Sequence, residues 1–480
     1  MQTKTNMKLP ESFKNKMIKL LGEEGFIAYE KSLQNPMYNC LRVNTLKISV
    51  EEFLRISPFE LSPVPWTENA FYYDASKFTP SKHPFYFAGL YYLQEPSACL
   101  PAATIPIEPG DKVLDICAAP GGKSTELACK LKGEGLLISN DISASRLKGL
   151  QKNVEVFGVR NVVVTCESPE RLSSYFNEYF DKILVDAPCS GEGMFRKSSS
   201  MITAWEQNGN EMFAGIQKTI LDEVAKMLKP GGTILYSTCT FDPTEDEDQV
   251  MYLRQLRPDL KIVPIEKHEG FVEGNPEWSN AENADSSLEG TFHLFPHLIK
   301  GEGHYVALLE SEDEPGGFDV QPYKFKSYAE IRAKKPNEDI EDFFKHIVSG
   351  IDFNLVEIGK DMLFLVPDKS PELRGLRIMR RGVYLGELKK KRFEPSQSLA
   401  MILKPENFDN VVRLSSDGKL ISKYLRGETL DFDTEEYSGE FDKVPNDGWT
   451  LVCVEDYPLG FGKFTNGVLK NKYLPGWRMM

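Results

Sequence analysis

The chain has 480 residues, 41% of them hydrophobic and 27% charged, and carries a formal net charge of −14. This length predicts about two to four domains, and the composition is that of a soluble globular protein. The acidic balance argues against a protein that coats nucleic acid nonspecifically, and no stretch approaches the ~18–20 apolar residues of a membrane span. The polar N-terminus has no signal-peptide core, which favours a cytoplasmic location.

Eight cysteines occur, and none of them has C-x-x-C spacing. The sequence therefore predicts neither a disulfide framework nor a zinc site, and we expect no metal. Two segments are locally basic despite the overall charge: residues 1–48, and residues 371–392 with eight Lys or Arg against two Glu. Such a patch is either a solvated face or an RNA-binding surface.

The first 93 residues predict a small α+β module. Apolar residues at helical spacing predict a helix over 10–33, and alternation predicts a strand over 40–46. A short helix over 50–54 and an extended segment over 71–73 follow. The aromatic residues within 84–93 belong either to a core or to a base-stacking surface.

From residue 94 to 310, strands alternate with helices, which is typical of a mostly parallel α/β sheet. Strands are predicted at 113–117, 136–140, 161–165, 181–186, 232–237 and 304–309. Helices are predicted at about 124–131, 144–157, 170–176 and 210–228.

The first of these strands ends in a glycine turn, Pro120-Gly121-Gly122, and a helix begins behind it. A phosphate-binding loop would need a further glycine where Cys117 stands, and the pattern G-x-G-x-x-G is absent. The next strand ends in Asp141, where a carboxylate can accept hydrogen bonds from ribose hydroxyls. With no phosphate motif before it, this arrangement suggests S-adenosylmethionine, although a tight strand-to-helix connection alone would also explain the glycines.

Two later strands each end close to a cysteine. The strand 181–186 runs into Asp186-Ala-Pro-Cys189, and the strand 232–237 runs into Ser237-Thr-Cys239. If these strands are neighbours, ~4.8 Å apart, both thiols lie on the rim where a parallel sheet binds its ligands. Taken singly, each cysteine is better explained as a small buried hydrophobe, but two cysteines just past the ends of consecutive strands favour a catalytic pair.

The C-terminal part begins after an acidic Pro/Gly linker at 310–317. Residues 318–385 predict a small mixed module that carries most of the second basic patch. Residues 386–480 predict short strands with glycine turns at Gly460, Gly462 and Gly467, as in a small barrel. The acidic segment 428–442 is expected to face away from RNA.

The motifs CAAPGGKS at 117–124, DAPCSGEG at 186–193 and YSTCT at 236–240 resemble those of the Nop/Sun family of RNA cytosine-5 methyltransferases. Residues 41–47 and 296–308 resemble the family's N-terminal segment and the end of its catalytic domain. Residues 390–396 and the C-terminal YPLGFGK…LKNKY…GWR resemble the extension of the bacterial RsmF branch, which is similar to a PUA RNA-binding domain. The resemblance implies a Rossmann-like, S-adenosylmethionine-dependent methyltransferase core, and 16S ribosomal RNA or the small ribosomal subunit as partner. We expect a monomer.

The resemblance also implies residue roles. Cys239 would attack carbon 6 of cytosine, Cys189 would serve the release step, and Asp186 would hold the cytosine edge and help to orient the cofactor. Cofactor contacts are implied for Asp141, for Ser168 on the adenine side, and for the loop residues Cys117, Ala118, Ala119, Pro120, Gly121, Gly122 and Lys123. Lys123 faces cofactor or RNA in one interpretation and solvent in the other.

Three other functions are weaker. A base amino-group methyltransferase would show Asn/Asp-Pro-Pro-aromatic where this chain has Asp-Ala-Pro-Cys, and none of the six histidines lies within a cysteine motif, as a hydrolase would need. A non-catalytic ribosome-assembly factor could keep the fold and the basic patches, but it would have no need of both cysteines.

Overall fold

The structure is a computed structural model that describes residues 8–318, 320–433, 437 and 439–479. Residues 1–7 of the first basic segment, and residues 434–436 and 438 of the acidic segment, lie outside the described part. No helix within the described residues is long and apolar enough to cross a membrane.

The N-terminal part folds around a four-stranded antiparallel sheet of order β2-β3-β1-β4. The helix expected over 10–33 is confirmed and is interrupted at Gly22, whose φ is 72°. Phe85 and Tyr91 are buried, so the aromatic segment 84–93 belongs in part to the core. The elements are α1 (Glu11–Ser32), β1 (Asn39–Val43), α2 (Val50–Ile56), β2 (Leu61–Pro63), β3 (Ala70–Tyr73), α3 (Pro84–Phe87), β4 (Tyr91–Gln94) and α4 (Leu100–Thr104).

The central part confirms the predicted alternation of strands and helices. Its strands are β5 (Lys112–Asp115), β6 (Leu136–Asn140), β7 (Val162–Thr165), β8 (Phe180–Asp186), β9 (Leu228–Thr238), β10 (Leu260–Ile262), β11 (Phe271–Glu273), β12 (Phe292–Leu294) and β13 (His304–Ser311). Its helices are α5 (Gly122–Leu131), α6 (Leu147–Phe157), α7 (Pro169–Ser173), α8 (Ser199–Met227) and α9 (Glu247–Leu256).

These strands form one sheet of order β11-β12-β13-β9-β8-β5-β6-β7, with β10 paired antiparallel to β13 outside this order. Strands β5 to β9 are parallel, and β13 runs antiparallel to β9. Apolar clusters cover both faces, one packed with α5 and α6 and the other with α7 and α8. The chain runs outward from β5 in one direction through β6 and β7, and in the other through β8 and β9. Ligands of such sheets bind beyond the carboxyl ends of the strands, at the point where the order reverses.

The C-terminal part contains a second and a third small sheet. The first has the order β14-β15-β17-β18. Strand β16 lies between β15 and β17 in the chain but belongs to the central sheet, where it pairs antiparallel with β7 at the edge. The boundary expected between residues 385 and 386 falls inside β17, so this sheet continues across it. The elements are α10 (Tyr328–Lys334), α11 (Glu338–Phe344), β14 (Val356–Gly359), β15 (Met362–Leu365), β16 (Ile378–Arg381), β17 (Val383–Lys389), β18 (Arg392–Pro395) and α12 (Gln397–Ile402).

The last sheet has the order β19-β21-β22-β23-β20 and packs with α13. Gly467 lies in the turn after β22, as expected, but the turns expected at Gly460 and Gly462 are wrong, because both glycines lie inside β22. A Cβ on Gly462 would lie 2.4 Å from a methyl carbon of Leu469, so close strand packing explains this glycine. The elements are β19 (Val411–Leu414), α13 (Lys419–Arg426), β20 (Leu430–Asp431), β21 (Gly448–Val454), β22 (Tyr457–Thr465) and β23 (Val468–Asn471).

Candidate active site

Two cysteines meet beyond the carboxyl ends of β8 and β9. These strands are parallel neighbours with Asp186 opposite Ser237, which confirms the adjacency that the sequence left conditional. The Sγ atoms of Cys189 and Cys239 lie 3.1 Å apart, and the backbone N–H of Cys239 donates to Cys189 Sγ at 3.3 Å. Both residues are half-buried, so each thiol is partly open to the rim of the sheet.

The two thiols influence each other's protonation. The hydrogen bond to Cys239, together with burial, raises the pKa of the Cys189 thiol well above its usual range, while the hydrogen bond from the Cys239 backbone N–H opposes this rise. Since the thiolate is the nucleophilic form of cysteine, the pair offers a nucleophile when one thiol loses its proton.

Asp186 connects the cysteines to the glycine turn. Its carboxylate lies 2.7 Å from Lys123 Nζ, accepts a hydrogen bond from Ser237 Oγ at 3.1 Å, and lies 3.6 Å from His304 Nε2. Burial alone would raise the pKa of Asp186, but the Lys123 ammonium and His304 outweigh it and hold that pKa below its usual range. Asp186 is therefore an anion across the neutral pH range.

Lys123 is buried, which decides between the two interpretations that the sequence left open. Its residue is 9% exposed, which rules out the solvent-facing interpretation. Although burial opposes its charge, the neighbouring Asp186 carboxylate raises the pKa of Lys123, and the ammonium interacts electrostatically with Cys239. The glycine turn thus brings a fixed positive charge to the thiol pair.

A buried charge cluster holds the two cysteine loops together. Glu192 and Asp242 each lie three residues past a cysteine, and Lys16 of α1 donates hydrogen bonds to both carboxylates, at 2.7 Å in the case of Asp242. Glu192 also accepts from the backbone N–H of Phe241 at 3.2 Å. One lysine from the N-terminal module therefore ties the loop after β8 to the loop after β9.

A second buried carboxylate supports the Cys189 loop from behind. Glu245 accepts hydrogen bonds from the backbone N–H of Ser190 at 2.9 Å, from Asn210 at 2.8 Å and from Gln217 at 3.0 Å. Burial raises the pKa of Glu245 to about 7. These contacts fix the backbone next to Cys189.

The glycine turn leads into α5, and packing explains its two glycines. Gly121 has a φ of 108°, and a Cβ there would lie 2.8 Å from Leu150 Cδ1. A Cβ on Gly122 would lie 2.9 Å from the ring of Tyr92. Because the protein itself crowds both positions, close packing at a tight strand-to-helix connection is enough to explain the two glycines.

The polar groups around the turn fit a nucleoside with an amino-acid tail. Asp141 is buried at the end of β6 and accepts from the backbone N–H of Ala119 at 3.3 Å. Asp115 is fully buried, burial raises its pKa to about 7, and its Oδ1 has no hydrogen-bond partner among the described residues. A carboxylate oxygen without a partner beside the turn fits an ammonium group, and Asp141 fits ribose hydroxyls.

The remaining predicted contact, Ser168, lies just past β7. Its hydroxyl accepts from the backbone N–H of Arg171 at 3.4 Å and caps the short helix α7. The neighbouring loop is held by Asn140, whose side chain donates to the Glu167 carbonyl at 3.0 Å. Ser168 thus has a structural role as an N-cap, while its cofactor contact stays a prediction.

Several residues of this site escaped sequence reasoning. Lys16, Glu192, Glu245 and His304 are separated by long stretches of chain from the groups they contact. His304 had a detectable signal, because it begins a predicted strand. A strand that begins at His304 and pairs antiparallel with β9 brings His304 to the carboxyl end of β9. The register of β9 and β13 shows this arrangement, with Tyr305 opposite Thr238.

The fold also assembles three potential metal ligands that the sequence did not reveal. Ligand atoms of Asp246, Glu247 and His293, all buried, lie within 4.8 Å of one another. His293 Nε2 lies 2.8 Å from a Glu247 oxygen, and Thr238 donates to Asp246 at 2.5 Å. The group ties the start of α9 to β12 and to Thr238 at the carboxyl end of β9.

Comparison with known families accounts for most of the chain. Family models match residues 102–310 (16S rRNA methyltransferase RsmB/F), 9–96 (N-terminal domain of 16S rRNA methyltransferase RsmF), 342–403 (RsmF rRNA methyltransferase first C-terminal domain) and 411–479 (methyltransferase RsmF PUA domain). The ribosomal RNA small subunit methyltransferase F of Vibrio vulnificus strain YJ016 is 31% identical over 97% of both chains. The chain belongs to the RsmF family of 16S rRNA methyltransferases. The resemblance and the fold class predicted from the sequence are thereby confirmed.

Other RsmF relatives and solved structures agree. The Escherichia fergusonii protein of the same name is 31% identical over 97% of this chain and 95% of its own. A crystal structure of a methyltransferase homolog from Pyrococcus horikoshii is 28% identical, with a TM-score of 0.53, and covers 63% of this chain and all of its own. The cysteine-bearing sheet is thus the methyltransferase core of an RsmF-family chain.

Proposed function

We propose that the protein transfers a methyl group from S-adenosylmethionine to carbon 5 of a cytosine in 16S ribosomal RNA, through a covalent bond between Cys239 and the base. The observation that carries this proposal is the pair of thiols 3.1 Å apart at the ligand-binding edge of the sheet. Membership of the RsmF family supports the substrate class. A non-catalytic assembly factor would not require this pair.

Two thiols suit the chemistry of this carbon. Carbon 5 of cytosine is too weak a nucleophile to accept a methyl group directly. When the Cys239 thiolate adds to carbon 6, the electron pair of the 5,6 double bond becomes available at carbon 5, which then takes the methyl group. Loss of the carbon 5 proton restores the double bond and expels Cys239, so nucleophilic catalysis replaces one difficult step by easier ones.

Cys189 and Asp186 serve the two ends of this sequence. Cys189 acts in the release step as the base for the carbon 5 proton or as its relay, and its Sγ lies 3.1 Å from Cys239 Sγ, which supports this role. Asp186, held as an anion by Lys123, accepts hydrogen bonds from the cytosine edge and helps to orient the cofactor. Lys123 contributes positive charge next to the thiol that becomes the thiolate.

The methyl donor binds along the glycine turn. When bound, it supplies a sulfonium methyl group to the nucleophilic carbon. Residues 117–123 surround the methionine part, Asp141 accepts from the ribose and Ser168 lies on the adenine side. The carboxylate of Asp115 is available for the donor's ammonium group, since one of its oxygens has no partner among the described residues.

The flanking parts present the RNA. We assign residues 1–93 to an N-terminal RNA-binding module, 318–385 to a small mixed module and 386–480 to a PUA-like RNA-binding domain, around a catalytic domain at 94–310 in a monomeric cytoplasmic enzyme. The target cytosine must be splayed out of any helix, because attack at carbon 6 and methyl transfer at carbon 5 need access to the faces of the ring.

The proposal is tested with purified protein, tritiated S-adenosylmethionine and bacterial 30S subunits or naked 16S rRNA. Wild type, Cys239→Ala and Cys189→Ala are assayed side by side. We expect label in 5-methylcytosine with wild type, none with Cys239→Ala, and a trapped covalent RNA adduct with Cys189→Ala.

Label on an exocyclic nitrogen, or full activity in Cys239→Ala, would overturn the two-thiol mechanism while leaving the family assignment in place. Absence of any label with wild type on both substrates would overturn the proposed substrate. Binding of S-adenosylmethionine to each variant, measured by calorimetry, separates a lost nucleophile from a lost fold.

A further inference from the structure

An open groove lies outside the catalytic rim, between β16 and the sheet formed by β14, β15 and β17. Its volume is about 760 Å³. The side chains that matter for its chemistry are three aromatics and three arginines, namely Tyr323, Phe364, Tyr384, Arg374, Arg380 and Arg381. Such a combination is typical of surfaces that bind single-stranded nucleic acid.

The groove is continuous with the edge of the sheet that carries the active site. β16 extends the central sheet beside β7, and Ile378 lies opposite Thr165 at the carboxyl end of β7. The backbone N–H of Cys166 donates to the carbonyl of Arg377 at 3.0 Å, which fixes this end of the groove to the loop after β7. Four strand spacings of ~4.8 Å separate β16 from β8, so the groove begins roughly 20 Å from the cysteines.

One wall of the groove is aromatic. Phe364 and Tyr384 are cross-strand partners on β15 and β17, with ring centroids 5.4 Å apart. Both side chains are only half-buried, so part of each ring lies open in the groove. Because every base has a π-face, an exposed aromatic wall binds bases with little regard to their sequence.

The rim of the groove is positively charged. The side chain of Arg374 is 90% exposed, and its nearest carboxylate oxygen, on Glu372, lies 3.9 Å away. Arg380 also lines the groove, but it is paired with Glu155 and is less available. An exposed guanidinium group beside an aromatic wall matches the phosphates that accompany the bases of a single strand.

The acidic residues of the groove are engaged in holding it together. Glu357 accepts a hydrogen bond from the Tyr323 hydroxyl at 2.6 Å. Glu372 accepts from the backbone N–H of Arg374 at 2.9 Å. The guanidinium of Arg381 lies 3.7 Å over the Tyr323 ring, so its planar group is fixed against the wall. Arg374, the exposed arginine of the lining, therefore keeps most of its capacity for an anionic partner.

We propose that this groove binds a single-stranded segment of the RNA substrate that flanks the target cytosine. Bases stack on the Phe364–Tyr384 wall, and a phosphate contacts Arg374. The inference rests on the proposed function, since it names where the RNA of that reaction is held. It predicts that strand β16 positions the substrate as well as completing the sheet.

The first test reverses charge at the rim. We expect Arg374→Glu to weaken binding of a single-stranded 16S rRNA fragment about tenfold, and the slope of log Kd against log salt to fall by about 0.7, because one phosphate contact is lost. The matched control is Lys334→Glu, an equal charge change at an exposed position at the end of α10 that does not line the groove. The control should bind within about twofold of wild type, since it leaves the phosphate contact in place.

The second test removes the aromatic wall without changing charge. Phe364→Leu keeps most of the side-chain volume, and we expect it to weaken single-strand binding about tenfold with an unchanged salt slope. RNA carrying 4-thiouridine beside the target should photocrosslink to the peptide spanning residues 362–384. Thermal melting and S-adenosylmethionine binding confirm that each variant is folded.

Wild-type affinity in both groove variants, with no crosslink in this peptide, would overturn the proposal and leave the groove to another partner such as a protein. An equal loss in the control would also overturn it, because the effect would then be general electrostatics. Failure of the proposed function would be distinguished from failure of the groove proposal, because wild type would then produce no 5-methylcytosine.

Discussion

The molecule contains two close pairs of cysteines, and only one of them lies at the active site. Cys189 and Cys239 have their Sγ atoms 3.1 Å apart at the carboxyl edge of the central sheet. Cys40 and Cys99 have theirs 3.7 Å apart beneath the N-terminal sheet, where both residues are buried. Distance alone therefore does not distinguish a catalytic pair from a structural one.

The hydrogen bonds around the sulfurs make the difference. In the buried pair, the Cys40 thiol donates to the carbonyl of Gln94 at 3.2 Å, an interaction that only the protonated form can make. In the edge pair, the backbone N–H of Cys239 donates to the sulfur of Cys189 at 3.3 Å. The edge pair thus has a backbone donor to the sulfur of Cys189 and lies in half-buried residues, whereas the buried pair has a backbone acceptor, so the edge pair is the one suited to hold a thiolate on either sulfur.

The largest effect should come from removing one thiol from each pair. We expect Cys239→Ala to lower the rate of RNA methylation at least about a thousandfold, because it deletes the proposed nucleophile. Cys40→Ala should leave the rate within about twofold and cost about 1 kcal/mol of stability, since it removes a buried thiol and its hydrogen bond. The measurement is single-turnover label transfer, with stability from denaturant unfolding. A large loss of rate in Cys40→Ala would show that both pairs serve the reaction.

This contrast also shows what the sequence could predict. The cysteines near the ends of consecutive strands are local features, and the β-strand pattern that places Cys189 beside Cys239 is readable from apolar runs. Sequence reasoning gave any single cysteine a better chance of being a buried hydrophobe, and Cys40 and Cys99 fit that description. Their proximity to each other, however, depends on how β1 meets the segment after β4, which no local pattern records.

The groups that hold the catalytic pair in place were equally beyond local patterns. Lys16 contacts carboxylates that lie 176 and 226 residues away in the chain. The sequence left two interpretations open for Lys123, because its burial depends on an ion pair with Asp186, which lies at the end of a different strand. The motifs identified the chemistry and the central sheet, while the long-range charge pairing required the folded chain.

The next largest effect should come from Lys16, which holds together the two loops of the edge pair and has no such role in the buried pair. We expect Lys16→Met to cost about 3–5 kcal/mol of stability, because it leaves the buried carboxylates of Glu192 and Asp242 without their cation. The rate of methylation should fall about a hundredfold as the cysteine loops shift. Diamide-driven disulfide formation between Cys189 and Cys239 should slow, while that between Cys40 and Cys99 is unchanged.

Lys16→Arg is the matched variant, since it keeps the cation and should recover most of the rate. Lys77→Met removes a lysine from an exposed pair with Glu60 and should cost less than about 1 kcal/mol. Equal disulfide rates in Lys16→Met and wild type would mean that β8 and β9 alone set the distance between the thiols.

The smallest effect is a shift in the pH dependence of alkylation. The hydrogen bond to Cys239 is the first cause of the raised pKa of Cys189, and the hydrogen bond to Cys99 is the first cause of the raised pKa of Cys40. Removing the partner thiol lowers the pKa in each case, so thiolate forms at lower pH. In Cys239→Ala, we therefore expect iodoacetamide to modify Cys189 at lower pH than in wild type.

In Cys99→Ala the pKa of Cys40 should also fall, but iodoacetamide should still not modify Cys40 in native protein. The reason is that Cys40 stays buried and still donates to the Gln94 carbonyl. Mass spectrometry of the two cysteine peptides between about pH 7 and 10 follows both reactions. Modification of Cys40 in parallel with Cys189 would mean that the N-terminal sheet opens as readily as the catalytic rim. Access would then not separate the two pairs, and the contrast between them would rest on their hydrogen bonds and on the methylation assay.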